Sequence, residues 1–485
     1  MNPENNYIMK KGLFLLLTAI SFVALSGSAK VKPHAMIGDN MVLQQNSNAR
    51  IFGFADPGSS VTVTPSWDGK NYTTTTDREG KWCLAVYTPE ASFKKHTITI
   101  SDGEPVDINN VLIGEVWLAS GQSNMQMPLK GFPGCCTLGG YDEIATSRDE
   151  ADKVRFFTVP LTQSYTELDT VNSRWTVPSP ETSPEYSALA WHFAKRMSDV
   201  LNVPVGIVSA AYGGAKVESW TSRDMLEKYN DVSLDPKDIE ALVHYHRPLL
   251  MYNAMFNPIK DFTYKGIIWY QGCSNVSTYD TYAERLAAMV KRWRDDIAIG
   301  DIPFYAVEIA PYEYGAPEEQ GKAPLLREAQ WKAIELIPNS GMISINDLVE
   351  PYERFNIHPA NKDAVGKRLC DLALNKTYGQ KQFPIESPRY KSHRFKDGAA
   401  WVAIDSPSDG ICRNYDIKGF EVAGNDRIFH PADSVWLHWQ TNEMVVSSKY
   451  VPQPVAVRYC WKDFLPGNLH AANYLPLIPF RTDDW

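Results

Sequence analysis

Between residues 110 and 380, short apolar runs alternate with segments of helical periodicity, and this alternation constrains the fold more than any other feature. The runs rich in β-branched and aromatic residues are 154–159, 203–210, 264–270, 302–309 and 342–345. The helical patterns are 186–201, 279–293, 325–336 and 361–374. Such alternation predicts an α/β fold, a doubly wound parallel sheet with crossover helices on both faces. In sheets of this kind, functional sites lie at the carboxyl ends of the strands.

The regions on either side of this core have the pattern of β structure. Residues 30–109 contain short strand-like runs separated by turn signals such as Asp56-Pro57-Gly58, which favours a small β-sandwich. After about residue 380 the helical pattern disappears and strand-like runs return. The chain of 485 residues is therefore predicted to comprise an N-terminal sandwich-like domain (30–109), an α/β domain (110–380) and a C-terminal β domain (381–485).

The first 29 residues have the pattern of a secretory signal peptide. Lys10 and Lys11 precede the apolar run 12–25, and small residues at 26–29 supply a cleavage site. The run is short for a membrane span, and no other stretch is long and apolar enough. We therefore expect an exported protein, periplasmic or extracellular, with no membrane span in the mature chain.

Composition narrows the possible partners. The net charge of −9 and the lack of a basic run argue against a nucleic-acid partner. No Cys-x-x-Cys or His-x-x-x-His spacing indicates a metal site, so none is predicted. The seven cysteines fit best as buried free thiols.

One serine stands at the end of an apolar run. The run 111–119 has the length and composition of a buried strand, stops at Ser120-Gly121, and is followed by Ser123 between Gln122 and Asn124. A strand that ends at glycine and presents a hydroxyl is how α/β hydrolases expose a nucleophile. On its own the pattern favours a simple polar turn, and only the groups at the other strand ends favour a nucleophile.

Three further strand ends or loops carry groups that an acyl-transfer site needs. Gly213-Gly214 follows the strand-like run 205–212, and Asn275 follows the run 267–271. His358 lies in a loop just before the last helical pattern. Acyl transfer requires a hydroxyl nucleophile, a base that is neutral near neutral pH, and donors aimed at the oxyanion. Serine, glycine, asparagine and histidine at different strand ends supply that set.

Several motifs resemble one family. They are Ser-Gly-Gln-Ser-Asn-Met (120–125), Trp-Tyr-Gln-Gly (269–272), Leu-Arg-Glu-Ala-Gln (326–330), Ile-His-Pro-Ala-Asn-Lys (357–362) and the terminal Pro-Phe-Arg-Thr-Asp-Asp-Trp (479–485). Together, from about residue 33 to the end, they closely resemble the sialate O-acetylesterase family of the SGNH hydrolases. The resemblance implies an SGNH-type α/β core with flanking β domains and the removal of acetyl groups from sugar hydroxyls.

The resemblance also implies roles for individual residues. Ser123 corresponds to the nucleophile and His358 to the general base. The N–H of Ser123, Gly214 and Asn275 correspond to the oxyanion hole. We expect the Ser123 hydroxyl and an imidazole nitrogen of His358 within roughly 2.6–3.2 Å of each other. The family needs no metal or organic cofactor.

The acid that orients the catalytic histidine in the family is not evident in this sequence. The family commonly has an acidic residue two or three positions before the histidine, where this chain has Asn356 and Phe355. The imidazole is then held either by a neutral acceptor, Asn356 or a main-chain carbonyl, giving a Ser-His dyad, or by a carboxylate. The candidate carboxylates are Asp347, Glu350 and Glu353. The sequence leaves both arrangements open.

A second departure concerns Cys273, which stands where many relatives have glutamate. It is predicted to be a poor nucleophile and a partly exposed wall of the pocket.

The predicted function is a secreted carbohydrate O-acetylesterase acting through an acyl-enzyme, with an acetylated sugar or oligosaccharide as substrate. Sialic acids are one substrate class, and acetylated plant polysaccharide fragments such as xylan oligosaccharides are the alternative. The loops that determine specificity, 129–148 and 311–322, carry no recognisable code. An alternative of a different class is a non-catalytic glycan-binding protein on an esterase scaffold.

Overall fold

The computed structural model describes residues 30–485 except 384, 407–409 and 413, so the predicted signal segment 1–29 lies outside the described residues. Strands β1, β3 and β6 of the N-terminal region pair in one sheet, while β2, β4, β5 and β7 join a second sheet through β8. These strands are β1 (Lys32–Pro33), β2 (Val42–Gln44), β3 (Ser47–Phe54), β4 (Ser60–Pro65), β5 (Tyr72–Thr75), β6 (Lys81–Thr88), β7 (Ser92–Ser101) and β8 (Pro105–Gly121).

Strand β8 joins the N-terminal region to the central sheet without a linker. Its first part pairs antiparallel with β7, with Ile108 opposite Ile98. Its second part, from Glu115 to Gly121, lies between two parallel strands of the central sheet. The apolar run 111–119, predicted as a buried strand, overlaps this second part and is buried throughout. The predicted domain boundary at 109/110 therefore falls inside one continuous strand.

The central strands confirm the alternating pattern of an α/β protein. They are β9 (Val154–Thr158), β10 (Trp175–Thr176), β11 (Val205–Ala211), β12 (Gly266–Tyr270), β13 (Phe304–Val307) and β14 (Ser340–Ile343). Their order across the sheet is β10-β9-β11-β8-β12-β13-β14. All neighbours in this order are parallel except β10, which is antiparallel to β9. Since β8 comes first in the chain and lies between β11 and β12, its carboxyl end is where the strand order reverses.

The helices are α1 (Ser123–Gln126), α2 (Gly140–Thr146), α3 (Ala188–Leu201), α4 (Arg223–Leu226), α5 (Pro236–Ala241), α6 (Tyr279–Ile297), α7 (Ala323–Leu336) and α8 (Lys362–Lys376). The four longest helices, α3, α6, α7 and α8, coincide closely with the four predicted ones, and the four shorter helices were not predicted. Helices α6 and α7 supply Trp293 and Leu326 to one hydrophobic cluster, which also contains Ile51 and Trp82 of the N-terminal sheets. Helices α3 and α8 supply residues such as Phe193 and Leu369 to a second cluster.

The C-terminal region forms two further sheets with a hydrophobic cluster of their own. Its strands are β15 (Arg389–Lys396), β16 (Ala399–Asp405), β17 (Phe420–Ala423), β18 (Phe429–Pro431), β19 (Ser434–His438), β20 (Glu443–Ser447), β21 (Ala456–Tyr459) and β22 (Phe480–Arg481). The region contacts the core through polar groups. Asp463 accepts hydrogen bonds from the backbone of Gly321 and Ala323 at 2.7 and 3.1 Å. The protein is thus a mixed α/β structure with a large mixed sheet and additional β-sheets.

Candidate active site

Ser123 lies just beyond the carboxyl end of β8, at the point where the strand order reverses. Gly121 ends the strand with φ 137°, a conformation that favours glycine, and a Cβ there would lie 2.2 Å from the carbonyl oxygen of Tyr270. The next residue, Gln122, donates its backbone N–H to that same carbonyl at 2.9 Å. This close approach of β8 to β12 turns the chain into the short helix α1 and leaves the half-buried Ser123 at its start.

Two glutamine side chains tie the serine turn to the neighbouring strand ends. The Oε1 atom of Gln122 accepts a hydrogen bond from the N–H of Gly272, after β12, at 2.8 Å. The Oε1 atom of Gln126 accepts from the N–H of Gly213, after β11, at 2.7 Å. The serine-bearing turn is therefore fixed on both sides by atoms of the sheet.

The structure brings His358 to Ser123 from a loop far away in the sequence. The Nε2 atom of His358 lies 2.8 Å from the Oγ atom of Ser123, inside the distance expected for a nucleophile and its base. The imidazole is half-buried, and the ring of Phe132 meets it edge-on with 5.3 Å between ring centres. Phe132 belongs to the loop 129–148.

Side chains hold the backbone around His358 in place. In each of the four consecutive residues 357–360, one backbone group is bonded to a side chain. The pairs are Ile357 O with Asn124 Nδ2 (2.9 Å), His358 N with Asn356 Oδ1 (3.0 Å), Pro359 O with Lys362 Nζ (2.8 Å) and Ala360 N with Glu353 Oε1 (2.8 Å). The position of the histidine is thus set through its main chain.

None of the residues predicted to orient the imidazole is bonded to its ring. Asn356 accepts from the backbone N–H of His358 rather than from the ring, and Glu353 accepts from Ala360 N and Glu350 N. Glu350 belongs to the cap of the short helical turn Pro351–Glu353. The Nδ1 atom of His358 has no hydrogen-bond acceptor among the residues that the structure describes.

Asp347 has other partners. It forms a bidentate pair with Arg368 at 2.9 Å for both bonds, and its Oδ2 atom lies 3.2 Å from Nε2 of His470. Burial raises the pKa of Asp347, but the hydrogen bonds of His470 and Arg368 outweigh it and hold the pKa below its usual range. Asp347 therefore connects β14, α8 and the C-terminal region.

The electrostatic surroundings keep the imidazole neutral. Burial, followed by the positive charge of Lys362, lowers the pKa of His358 to about 4. Burial also lowers the pKa of Lys362 to about 7. A neutral imidazole with Nε2 facing a hydroxyl can accept the hydroxyl proton, which is what a general base does.

Two of the three predicted oxyanion donors make no hydrogen bond within the described structure. Among the described residues, the backbone N–H groups of Ser123 and Gly214 have no acceptor. Gly214 has φ 77°, and a Cβ there would lie 2.5 Å from the ring of Tyr245. The aromatic ring therefore packs directly on this glycine, a contact that the sequence did not reveal.

Asn275, the third predicted donor, uses its side chain elsewhere. Its Oδ1 atom accepts from the N–H of Val217 at 3.0 Å, which fixes the orientation of the amide. Its Nδ2 atom then donates to Glu218 at 3.0 Å and to Thr278 at 3.2 Å. Both amide protons are taken, so Asn275 could donate to an oxyanion only by releasing one of these bonds.

Comparison with known proteins decides the family. The sequence model of the family described as carbohydrate esterase, sialic acid-specific acetylesterase, matches residues 113–375. This chain belongs to that family. A carbohydrate acetylesterase of known structure from Xanthomonas citri is 30% identical, with a TM-score of 0.82, and the match covers 94% of this chain and all of that chain (100%). The sialate O-acetylesterase of Rattus norvegicus is 29% identical, covering 97% of both chains, and that of Mus musculus is 26% identical, covering 96% and 97%. The predicted enzyme class, a carboxylic ester hydrolase that deacetylates carbohydrates, is confirmed.

The prediction that Cys273 is partly exposed is wrong for this esterase. The residue is only 4% exposed because it begins a helical turn, Cys273–Thr278, packed inside the larger hydrophobic cluster. Burial raises the pKa of its thiol to about 11, which makes it a poor nucleophile at neutral pH. Among the described residues, no cluster of three or more His, Cys, Asp or Glu side chains could hold a metal ion.

Four polar residues of the site were not identified from the sequence, although each lies inside a quoted motif or beside it. They are Gln122, Asn124, Gln126 and Lys362. The sequence feature that could have indicated the first three is the high proportion of polar side chains next to Ser123, which a simple surface turn does not need. The three residues near Ser123 bond to backbone atoms of distant segments, and Lys362 bonds to the distant side chain of Asn124. The sequence pattern does not show these partners.

Proposed function

We propose that the esterase uses Ser123 as nucleophile and His358 as general base. The Ser123 hydroxyl attacks the acetyl carbonyl carbon, its proton passes to Nε2 of His358, and the protonated imidazole then gives that proton to the departing sugar oxygen. Water, activated by the same imidazole, hydrolyses the acetyl-enzyme and releases acetate. The contact of 2.8 Å between Oγ and Nε2 is the observation that carries this proposal.

The mechanism proposed is a Ser-His dyad. With Nε2 facing Ser123, the Nδ1 atom of His358 carries the proton, and no side chain in the described part of the protein accepts it. Nδ1 is not among the buried polar atoms without a partner, so solvent water is the acceptor that remains. The side-chain bonds to residues 357–360 replace the acid in one of its functions, the orientation of the ring.

The backbone N–H groups of Ser123 and Gly214 are proposed as the oxyanion hole. Both are free of protein acceptors in the described structure, and backbone donors need no reorganisation when the charge develops. Asn275 joins them only if substrate binding frees one amide proton from Glu218 or Thr278.

The strand order and the two helix pairs support the finer description of the core as an SGNH-type doubly wound sheet. The three-part division at 30–109, 110–380 and 381–485 is retained as a proposal with one qualification. Residues 381–485 have a hydrophobic cluster of their own, whereas residues 30–109 share β8 and a cluster with the core. Limited proteolysis is therefore expected to release the C-terminal region before the N-terminal one.

The proposed substrate is an O-acetylated sugar, with sialic acids first and acetylated xylan oligosaccharides as the alternative. Family membership and the sialate O-acetylesterases among the relatives favour sialic acids. The similar Xanthomonas citri protein is described only as a carbohydrate acetylesterase. Phe132 beside His358 and Tyr245 on Gly214 supply aromatic walls on two sides of Ser123, and such rings can pack against a sugar of either class.

Export to the periplasm or the extracellular space is proposed from the pattern of residues 10–29. In the part of the chain that the structure describes, no helix has the length and apolar character needed to cross a membrane. Fractionation of cells that express the full chain tests the location.

A panel of acetylated glycans, assayed for released acetate, tests the proposed function. The panel contains O-acetylated sialic acids and acetylated xylan oligosaccharides, with p-nitrophenyl acetate as a general ester. Ser123→Ala is expected to abolish acetate release from every substrate. The matched control is Ser274→Ala, because this half-buried serine lies at the neighbouring strand end and makes no contact with His358. Binding of the glycans without any release of acetate by the unaltered protein would favour the non-catalytic alternative.

A further inference from the structure

Lys362 carries a buried amino group that the proposed chemistry does not use. It is the first residue of α8 and is only 1% exposed. Among the described residues, no carboxylate oxygen lies within 4.0 Å of its Nζ atom. Burying a charge without an ion-pair partner costs free energy, so a lysine at such a position calls for an explanation in terms of its contacts.

The hydrogen bonds of Lys362 join the two halves of the active site. Its Nζ atom donates to Oδ1 of Asn124 at 2.7 Å and to the carbonyl oxygen of Pro359 at 2.8 Å. Asn124, the residue next to the nucleophile, donates in turn to the carbonyl oxygen of Ile357 at 2.9 Å. The lysine and the asparagine therefore hold the residues on both sides of His358 and attach them to the serine turn.

We propose that Lys362 is a positioning residue of this esterase: with Asn124 it fixes the separation of Ser123 and His358. The inference rests on the proposed roles of Ser123 and His358. The charge of Lys362 has a separate effect, because it adds to burial in lowering the pKa of His358. The bridge acts on the turnover rate, since reacting groups misplaced by about 1 Å cost about 10²-fold. The charge lowers the pKa of His358, and this pKa sets the pH above which the imidazole is neutral and can act as a base.

Few other charged groups lie around Lys362 and His358. The Glu353 carboxylate and the thiols of Cys135 and Cys273 act on Lys362, and the ring of Tyr270 lies 6.0 Å from Nζ. Lys362 is the only charged group among the described residues with a resolved effect on the pKa of His358, where it adds to the effect of burial. Removing the ammonium is therefore expected to raise that pKa.

Two substitutions separate the bridge from the charge. Lys362→Met removes both, so kcat is expected to fall about 10²-fold and the acidic limb of the kcat/KM profile to move to higher pH. Asn124→Ala breaks the bridge but leaves the ammonium, so kcat is expected to fall by a similar factor while the acidic limb stays in place. KM is expected to change little in both variants. Lys367→Met, an exposed lysine on the same helix, is the matched control and is expected to behave as the unaltered protein.

The unaltered enzyme provides a test that needs no substitution. Its acidic limb is expected near pH 4, well below the ordinary value for histidine. A limb near pH 6.5 would contradict the lowering of this pKa by burial and Lys362 together, even if Lys362→Met does not fold.

The turnover rates of the two variants test the bridge between Lys362 and Asn124. If Lys362→Met and Asn124→Ala fold and retain the kcat of the unaltered enzyme, while Ser123→Ala is inactive, this inference fails and the proposed function stands. If Ser123→Ala is itself active, the proposed mechanism fails first. Thermal unfolding of each variant distinguishes lost positioning from lost structure.

Discussion

The segment that carries Ser123 and the loop that carries His358 are held in place by different kinds of contact. The serine turn continues a buried central strand, and its own glutamine side chains attach it to the residues that follow β11 and β12. The histidine loop has little regular structure, and its backbone at 357–360 is bonded to four separate side chains. Single substitutions should therefore disturb the histidine far more easily than the serine.

The comparison also bears on the missing acid. In a Ser-His-Asp triad the acid orients the imidazole and stabilises its charged form. Here main-chain contacts of residues 357–360 hold the loop, while the charge of Lys362 opposes protonation of the ring. The proposed dyad therefore orients the ring without the electrostatic support that an acid gives.

The largest effect is expected from removing the catalytic pair itself. His358→Ala should lower kcat by about 10⁴–10⁶, as Ser123→Ala does, because the hydroxyl is a weak nucleophile without its base. The double variant should be no slower than either single variant, since the two groups act as one unit. Steady-state hydrolysis of p-nitrophenyl acetate measures all three. A double variant far slower than both single variants would show that the residues act independently.

A smaller effect is expected from loosening the histidine loop through Glu353. Glu353→Gln weakens the bonds to Ala360 N and Glu350 N, so kcat should fall by up to about 10²-fold with the fold intact. Glu350→Gln is the neighbouring control, because Glu350 caps the same turn without contacting residues 357–360. Equal losses in the two variants would contradict the specific role of Glu353.

Asn356→Asp tests whether charge can be restored. The new carboxylate lies next to His358 and should raise the pKa of the imidazole, moving the acidic limb of kcat/KM to higher pH. The gain in kcat should stay below about tenfold, or about 1.4 kcal/mol, because the side chain is directed at the backbone N–H and faces Glu353 at 3.5 Å. A much larger gain would mean that the ring reorients to form a true triad.

The smallest effect on catalysis, but a large one on stability, is expected at Asp347. Asp347→Asn leaves the largely buried guanidinium of Arg368, 11% exposed, without its carboxylate and should cost about 3 kcal/mol of unfolding free energy. Because Asp347 does not contact His358, kcat at a temperature where the variant is folded should be unchanged. A fall of 10³-fold or more with folding intact would identify Asp347 as the catalytic acid.

The sequence predicted the parts of the site that local pattern determines. Strand and helix periodicity located β8 and α8, and with them Ser123 and His358, because each element is encoded by consecutive residues. The partners of Asn275 and Asp347 were not predictable, since Glu218 and His470 come from distant segments. The role proposed for Lys362 depends on the burial of its side chain. Lysine is so rarely buried that the sequence pattern does not predict this burial.

Covalent labelling measures the central claim most directly, namely that the serine at the end of β8 is a nucleophile activated by His358. The enzyme is treated with a fluorophosphonate that resembles the tetrahedral intermediate, and the labelled peptide is identified by mass spectrometry. We predict a single label on Ser123, formed rapidly in the unaltered enzyme and very slowly in His358→Ala. Labelling of another residue, or equal rates with and without His358, would contradict the account.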